Sequence, residues 1–168
     1  MSHQPVIDGF EFATAGATQE GKLPLAGFPR LKDQLVSDAG DVTYVLRGVR
    51  DARGRPSLRL GVRGRLHLRC QRCLGPLTHD VDAEQILVLA GSQEEIDAEP
   101  AAVDEPDRIV AGKEMSVREL VEDELILALP YAARHEDCEP WHEGMDAQGE
   151  RAMSSPFAGL RGMMQRKH

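Results

Sequence analysis

The sequence has little of several features that would narrow its function at once. Aromatic residues make up 4% of its 168 residues, there are three cysteines, and the longest uncharged apolar run is Leu125–Pro130. This run is too short for a membrane-spanning helix, which needs about 20 apolar residues. An odd number of cysteines cannot pair completely within one chain, so thiols or metal ligands are favoured over a disulfide framework.

Familiar catalytic motifs and targeting signals are also missing. The chain has no glycine-rich phosphate-binding loop, no nucleophile elbow and no H-E-x-x-H motif, so nothing in it demands an enzyme. Residues Met1–Phe10 show no basic stretch followed by an apolar one, as a secretion signal would. We therefore expect a soluble, cytoplasmic protein that is not an enzyme and does not contact membranes.

The length and composition suit one modest hydrophobic core. Hydrophobic residues make up 41% of the chain and charged residues 29%, as is usual for a globular domain. We expect a single α+β domain over residues 1–138, with a solvated acidic loop at about 91–107. Residues 139–168 are expected to form a flexible C-terminal tail, whose Phe157, Leu160, Met163 and Met164 lie at the spacing of a short amphipathic docking segment.

Alternating apolar and polar residues predict three strands of an antiparallel meander, at about 42–47, 58–70 and 81–90. In the second segment the leucines, Val62 and Cys70 share one face and the arginines share the other. This strand is longer than a small domain needs, so we expect Gly61 and Gly64 to allow a bend or bulge. The predicted fold is α+β, with a curved, barrel-like antiparallel sheet, flanking short helices and mobile termini.

Two helices are indicated beside the sheet. Leu31 and Leu35 favour a short one over residues 30–36. Ser116 followed by Glu119 is typical of a capping box, and Pro130 ends the helix that this box begins. Val117, Leu120, Val121 and Leu125 would form its buried stripe, with Glu122, Asp123 and Glu124 on the other side.

The net charge of −8 hides an asymmetry. Residues 1–80 hold 12 Lys/Arg and 8 Asp/Glu, whereas residues 81–168 hold 8 and 20. Nine arginines lie between positions 47 and 72, opposed within that stretch only by Asp51. A field of this sign attracts phosphate, although the arginines could equally cover an exposed sheet face or pair with the acidic second half.

The cysteines form a candidate zinc site. Cys70 and Cys73 make a C-x2-C turn, and His135 and Cys138 provide a second pair with the same spacing. Together they would form a closed, structural Cys3His site with no open position for a catalytic water. The alternatives are that Cys70 is a buried core thiol, or that His142, His79 or His67 replaces His135. A thioredoxin-like redox role is disfavoured because the motif ends a strand.

Six short motifs occur in order along the chain: I-D-G-F-E-F-A (7–13), L-P-L-A-G-F-P-R-L (23–31), L-R-C-Q-R-C-L (68–74), V-E-D-E-L-I-L-A-L-P (121–130), H-E-D-C (135–138) and S-P-F-A-G-L (155–160). Together they resemble the bacterial YceD family of large ribosomal RNA subunit accumulation proteins. The resemblance implies a role in the synthesis, processing or accumulation of 23S ribosomal RNA in the cytoplasm, without an established catalytic activity. Some relatives carry a second cysteine-rich pair at the position of His135 and Cys138, which fits a metal site in the family.

We therefore expect a non-enzymatic ribosome-biogenesis factor that binds ribosomal RNA or a precursor of the large subunit through its basic sheet face. Aromatic residues are too few for a stacking platform, so phosphate contact is expected. The predicted RNA-binding residues are Arg59, Arg63, Arg65, Arg69 and Arg72.

Two alternatives remain open. In the first, the acidic second half engages a basic ribosomal protein, which the apolar tail around Phe157 grips. In the second, Glu119 and Asp123 hold a divalent ion in an RNA-processing enzyme, although solvated helix surfaces carry such pairs far more often than active sites do.

Overall fold

A computed structural model describes residues 5–98 and 105–141. In chain order the strands are β1 (Val6–Ile7), β2 (Thr18–Pro24), β3 (Leu35–Ser37), β4 (Asp41–Arg50), β5 (Pro56–Arg69), β6 (Pro76–Ala90), β7 (Arg108–Val110) and β8 (Met115–Ser116). The helices are α1 (Gly9–Thr14), α2 (Gln93–Ala98) and α3 (Val117–Leu127). The predicted α+β class is confirmed, with strands predominating over short helices.

The main sheet has the strand order β2-β4-β5-β6-β7, and β3 pairs with β5 beyond the end of β4. Strands β4, β5 and β6 form the predicted antiparallel meander, whereas β7 runs parallel to β6. Across the described residues no pairing joins the edge strands β2 and β7, so the sheet is open. The predicted barrel-like, strongly curved sheet is therefore wrong.

The bulge expected at the two glycines of β5 is absent. The pairing of β5 with β4 and β6 continues through Gly61 and Gly64 without a register shift. Gly64 faces the core, where an added Cβ would lie 2.5 Å from Cγ1 of Val42. This glycine makes room for a neighbouring side chain and leaves the strand regular, so the sheet is not forced to close.

The core lies between the inner face of the sheet and α3. From Leu58 to Leu68 every second residue of β5 except Gly64 is buried, as the alternation predicted, and Val117, Val121 and Leu125 of α3 belong to the same hydrophobic cluster. Burying a side chain of this kind contributes about 1.5–3 kcal/mol. Leu120 is only partly buried against the cluster. The inner face of the meander therefore packs on one side of α3, together with Leu25, Phe28 and Leu31 of the segment before β3.

Helix α3 begins where its capping signal predicted. The Ser116 side chain accepts a hydrogen bond from the Glu119 backbone N–H at 3.3 Å, and the helix ends at Leu127, before Pro130. Its acidic side differs from the prediction, because Glu122 and Glu124 are buried. The residue spacing located the helix correctly, but it did not show that neighbouring elements also bury part of the acidic side of the helix.

The N-terminal elements differ more from the sequence expectation. The segment expected to be a helix at 30–36 is a 3-10 turn at Lys32–Gln34 followed by β3, because pairing with β5 outweighs local helical spacing. Helix α1 was not predicted; the Asp8 side chain caps it by accepting a hydrogen bond from the Glu11 N–H at 3.0 Å. A short polar residue before an aromatic pair was the available signal.

The predicted domain limits stay a prediction. Helix α2 lies within the acidic segment expected to be a loop, and residues 99–104 of that segment lie outside the described part. The apolar stripe of the tail, at residues 157–164, also lies outside it. No helix in the described ranges is both long enough and apolar enough to cross a membrane.

Gly48 provides a test of how α1 packs on β4. A Cβ at Gly48 would overlap the carbonyl oxygen of Phe12 and lie 2.8 Å from Cα of Ala13, and both are backbone atoms of α1. We expect Gly48→Ala to lower the free energy of unfolding by about 3 kcal/mol, measured by urea denaturation, because backbone cannot move aside as a side chain does. Gly61→Ala is the control, since its nearest neighbours are 3.9 Å away. Equal stability of the two variants would contradict this packing.

Candidate metal centre and arginine face

The four predicted metal ligands come together at the end of β5. One ligand atom each from Cys70, Cys73, His135 and Cys138 lies within 4.8 Å of the other three. The 61 residues between Cys73 and His135 include β6 and α3, so the fold brings the two pairs together. His67 and His79 are not part of this cluster, and His142 lies outside the described residues.

Hydrogen bonds fasten the turn after β5 to the segment after α3. The Gln71 N–H donates to the carbonyl of Ala133 at 2.7 Å, and the Trp141 N–H donates to the carbonyl of Arg72 at 2.8 Å. The Arg72 side chain donates in turn to the carbonyl of Cys138 at 3.1 Å. Both ligand pairs are thus held by a framework that does not depend on a metal.

The spacing of the ligand atoms fits a tetrahedral metal. The sulfurs of Cys70 and Cys138 are 3.7 Å apart, and the Cys73 sulfur is 3.4 Å from Nδ1 of His135. With zinc bonds of about 2.3 Å to sulfur and about 2.05 Å to nitrogen, tetrahedral geometry places two sulfurs about 3.8 Å apart and a sulfur and a nitrogen about 3.6 Å apart. A disulfide would need about 2.05 Å between sulfurs, and all three cysteines are free.

His135 is oriented as a metal ligand would be. Its Nε2 lies 3.0 Å from the carbonyl oxygen of Pro76. A carbonyl only accepts hydrogen bonds, so Nε2 carries the proton and donates, and the lone pair of Nδ1 faces the cysteines. Metal-bound histidines commonly fix their second nitrogen in this way. The backbone at the start of β6 therefore selects the tautomer that a metal requires.

The turn itself stabilises negative charge on sulfur. Burial raises the pKa of Cys70, but backbone N–H groups of Cys73, Arg72 and His135 donate to its sulfur and bring the pKa down to about 5. Burial raises the pKa of Cys138, and the neighbouring sulfurs of Cys70 and Cys73 raise it further. Several thiolates this close together repel one another, and a bound dication would relieve that repulsion. The donor set therefore fits zinc.

Three of the five predicted RNA-binding arginines are paired with carboxylates of β6. Strand register places Arg63 opposite Asp82 and Arg65 opposite Asp80, and the Nε–carboxylate distances are 2.8 Å and 2.7 Å. Arg59 lies 3.6 Å from a carboxylate oxygen of Glu84. The hydrogen bond from Arg65 lowers the pKa of Asp80. The positive charge that these arginines present is thus largely offset at the sheet surface.

Among the described residues, the remaining two predicted arginines, Arg69 and Arg72, are not paired with carboxylates in this way. In the described ranges neither Arg69 nor Arg72 has a carboxylate partner. Both lie at the metal-cluster end of the sheet, and Arg72 donates to the Cys138 carbonyl. Arginines outside the predicted set repeat the paired pattern, since Arg55 pairs with Asp51 and Arg53 with Glu105. The uncompensated charge among the predicted residues is therefore concentrated beside the cysteines.

A buried carboxylate that the sequence did not reveal joins two of the sequence motifs. Glu122 of α3 is buried and accepts hydrogen bonds from the backbone N–H groups of Arg30 at 2.7 Å and Leu31 at 3.2 Å. The Arg30 side chain also donates to Glu122 and to Asp123. No local pattern connects positions 30 and 122, so only the tertiary structure could pair them.

The fold and site define a small α+β protein with an open sheet and a candidate structural metal centre. Residues 58–163 match the family model described as large ribosomal RNA subunit accumulation protein YceD. The chain belongs to the YceD family, as its motifs indicated. The matched region contains all four cluster ligands and all five predicted arginines. No solved structure matches the chain.

Proposed function

We propose that this protein is a non-enzymatic factor that promotes the accumulation of large-subunit (23S) ribosomal RNA during ribosome biogenesis in the cytoplasm. The family match over residues 58–163 is the observation that carries this proposal. Such a factor acts by binding and has to hold its binding surface in one shape. The tethered turn around Cys70 and Cys73 is a feature suited to that task.

We further propose that the cluster of Cys70, Cys73, His135 and Cys138 binds one structural zinc ion. Four protein ligands fill a tetrahedral site and leave no position for a substrate or a reactive water. The support is the fit of the Cys70–Cys138 and Cys73–His135 ligand-atom separations to tetrahedral geometry, together with the orientation of His135. In this role the metal locks the segment after α3 onto the end of β5.

The proposed RNA contact uses Arg59, Arg63, Arg65, Arg69 and Arg72, with unequal contributions. Surface ion pairs such as Arg63–Asp82 and Arg65–Asp80 are weak, so an RNA phosphate could replace the carboxylate. The displaced carboxylate would still repel the phosphate. Arg69 and Arg72 have no such neighbour in the described part and are therefore expected to contribute most of the phosphate attraction.

This difference makes a prediction about salt dependence. Replacing Arg69 and Arg72 by glutamine should lower the slope of log Kd against log salt by about 2, because two phosphate contacts are lost. The probe is a transcript of the precursor large-subunit RNA, titrated at several salt concentrations by filter binding. Zinc content and thermal stability of the variant are measured in parallel, because Arg72 also contacts the cluster segment.

The matched control is Arg63→Gln with Arg65→Gln, which removes the same charge from the paired positions. We expect a smaller change of slope for this control. Unchanged affinity after replacement of all five arginines by alanine would refute direct RNA binding through this face.

The carboxylates of β6 favour one alternative, a protein partner. Asp80, Asp82 and Glu84 form an acidic row that could pair with a basic ribosomal protein instead of repelling RNA. A pull-down from nuclease-treated lysate distinguishes the two cases, since partners held through RNA vanish and direct protein partners remain. The enzyme alternative gains no support from the described residues, because Asp123 is held by Arg30.

A further inference from the structure

A groove lies between α3, β6 and β7, on the side of the sheet opposite to Arg59, Arg63 and Arg65. Its volume is about 290 Å³, and its lining is mostly apolar. The apolar part comes from Leu87, Ile109, Leu120, Ile126 and Leu127. Leu127, the last residue of α3, is 69% exposed there. Nothing within the described residues covers this groove.

Glu124 adds a buried carboxylate to this apolar groove. It is nine-tenths buried and lines the groove, and among the described residues its carboxylate has no hydrogen-bond partner. Burial raises its pKa, and the charge of Asp107 raises it further. Asp107 accepts a hydrogen bond from Gln85, and Asp123 is held by Arg30. Among the carboxylates of the groove, Glu124 is therefore the one without a donor in the described residues. Its oxygens are not fully enclosed and face the groove, where a cation on an apolar segment would suit them.

The chain itself contains a segment of this chemistry. Residues 151–168 hold four Lys/Arg and no Asp/Glu. The groove is lined by Asp107, Asp123 and Glu124 against one cation, Arg30, so the two are of opposite charge. Phe157, Leu160 and Met164 recur at helical spacing, and Arg161 follows Phe157 by four positions, so it would share that face. The family match extends to residue 163, so residues 151–163 of this segment belong to the matched region.

We propose that residues 157–164 dock into the groove of the same molecule, placing the Phe157–Met164 stripe against the α3–β6 leucines and the Arg161 guanidinium beside Glu124. The 15 residues between Trp141 and Phe157 can span up to about 50 Å, so the tether does not limit docking. A tether of this kind supplies an effective concentration in the millimolar range, which lets a short apolar contact persist. Docking would cover Leu127 and satisfy the buried carboxylate. This inference does not rest on the proposed RNA role.

Photo-crosslinking of the full chain tests the docking. Benzoylphenylalanine placed at Phe157 should crosslink within the monomer to peptides of α3, β6 or β7, as read by mass spectrometry. Leu160→Gln should reduce the yield at least fivefold, whereas Ala158→Gln, a matched change off the stripe, should leave it unchanged. Crosslinks elsewhere on the chain, crosslinks only between two copies, or equal yields in both variants would each overturn the proposal.

A double-mutant cycle tests the ion pair within the same proteins. Arg161→Gln and Glu124→Gln should each shift the methyl NMR signals of Leu127, and the double variant should shift them no further than either change alone. Glu124→Gln removes a buried charge, so loss of folding is not expected to obscure the result. Fully additive shifts would show that Arg161 and Glu124 do not meet, and would overturn the assigned pairing.

Discussion

Replacement of Cys73 by serine is expected to abolish metal binding and to cost several kcal/mol of stability, up to about 10 kcal/mol. The reason is that a metal bound only by the folded chain adds its binding free energy to folding. The loss should be largest here because the cluster joins segments 61 residues apart in sequence. Metal analysis of protein purified without chelator should give one zinc per chain, and urea denaturation before and after chelation should reproduce the loss.

His67→Gln is the matched control for the cluster. His67 lies on β5, three residues before Cys70, but outside the four-residue cluster, so zinc content and stability should stay at wild-type values. A metal content well below one per chain, together with unchanged thermal stability after chelation, would remove the zinc site. In that case the segment after α3 would be held to the turn after β5 mainly by the backbone hydrogen bonds between them.

Glu122→Ala is expected to be the second most damaging change, lowering the free energy of unfolding by about 2–4 kcal/mol. The substitution leaves the N–H groups of Arg30 and Leu31 without their acceptor, and Leu31 is fully buried beside it. An unpaired buried donor costs more than the hydrogen bond contributed. Urea denaturation at neutral pH measures the loss.

Asp123→Ala is the natural comparison, because Asp123 contacts the same arginine from the next position on α3. That contact is solvent-exposed, so its removal should cost much less than the loss of Glu122. If the two variants were equally stable, the buried carboxylate would not be what fastens the loop before β3 to α3.

The hydrogen bonds to Glu122 also connect two of the sequence motifs. L-P-L-A-G-F-P-R-L provides the two backbone donors, and V-E-D-E-L-I-L-A-L-P provides the acceptor. The motifs lie about 90 residues apart and meet at one carboxylate. The same helix carries Glu124 two positions later, on the groove side. Helix α3 thus uses one buried acid for the fold and leaves another without a partner in the described residues.

Much of the local structure followed from the sequence alone. Alternation along β5 identified its buried face, and Ser116 marked the start of α3. The two pairs at Cys70/Cys73 and His135/Cys138 indicated the cluster that the fold assembles. The first two predictions succeeded because strand periodicity and helix capping are properties of neighbouring residues. Spacing marked each Cys/His pair as candidate ligands, but the fold brought the two pairs together.

Only the tertiary structure decided the rest. Periodicity says which face of a sheet an arginine occupies, but the β5–β6 register decides that Arg63 faces Asp82 and Arg65 faces Asp80. Likewise, the amphipathic pattern of α3 could not show that Glu122 is covered by Arg30 and Leu31. Charge balance and burial depend on residues brought together from distant positions. The physical reason is that the free energy of a contact is set by both residues that make it, and the sequence around one of them does not identify the other.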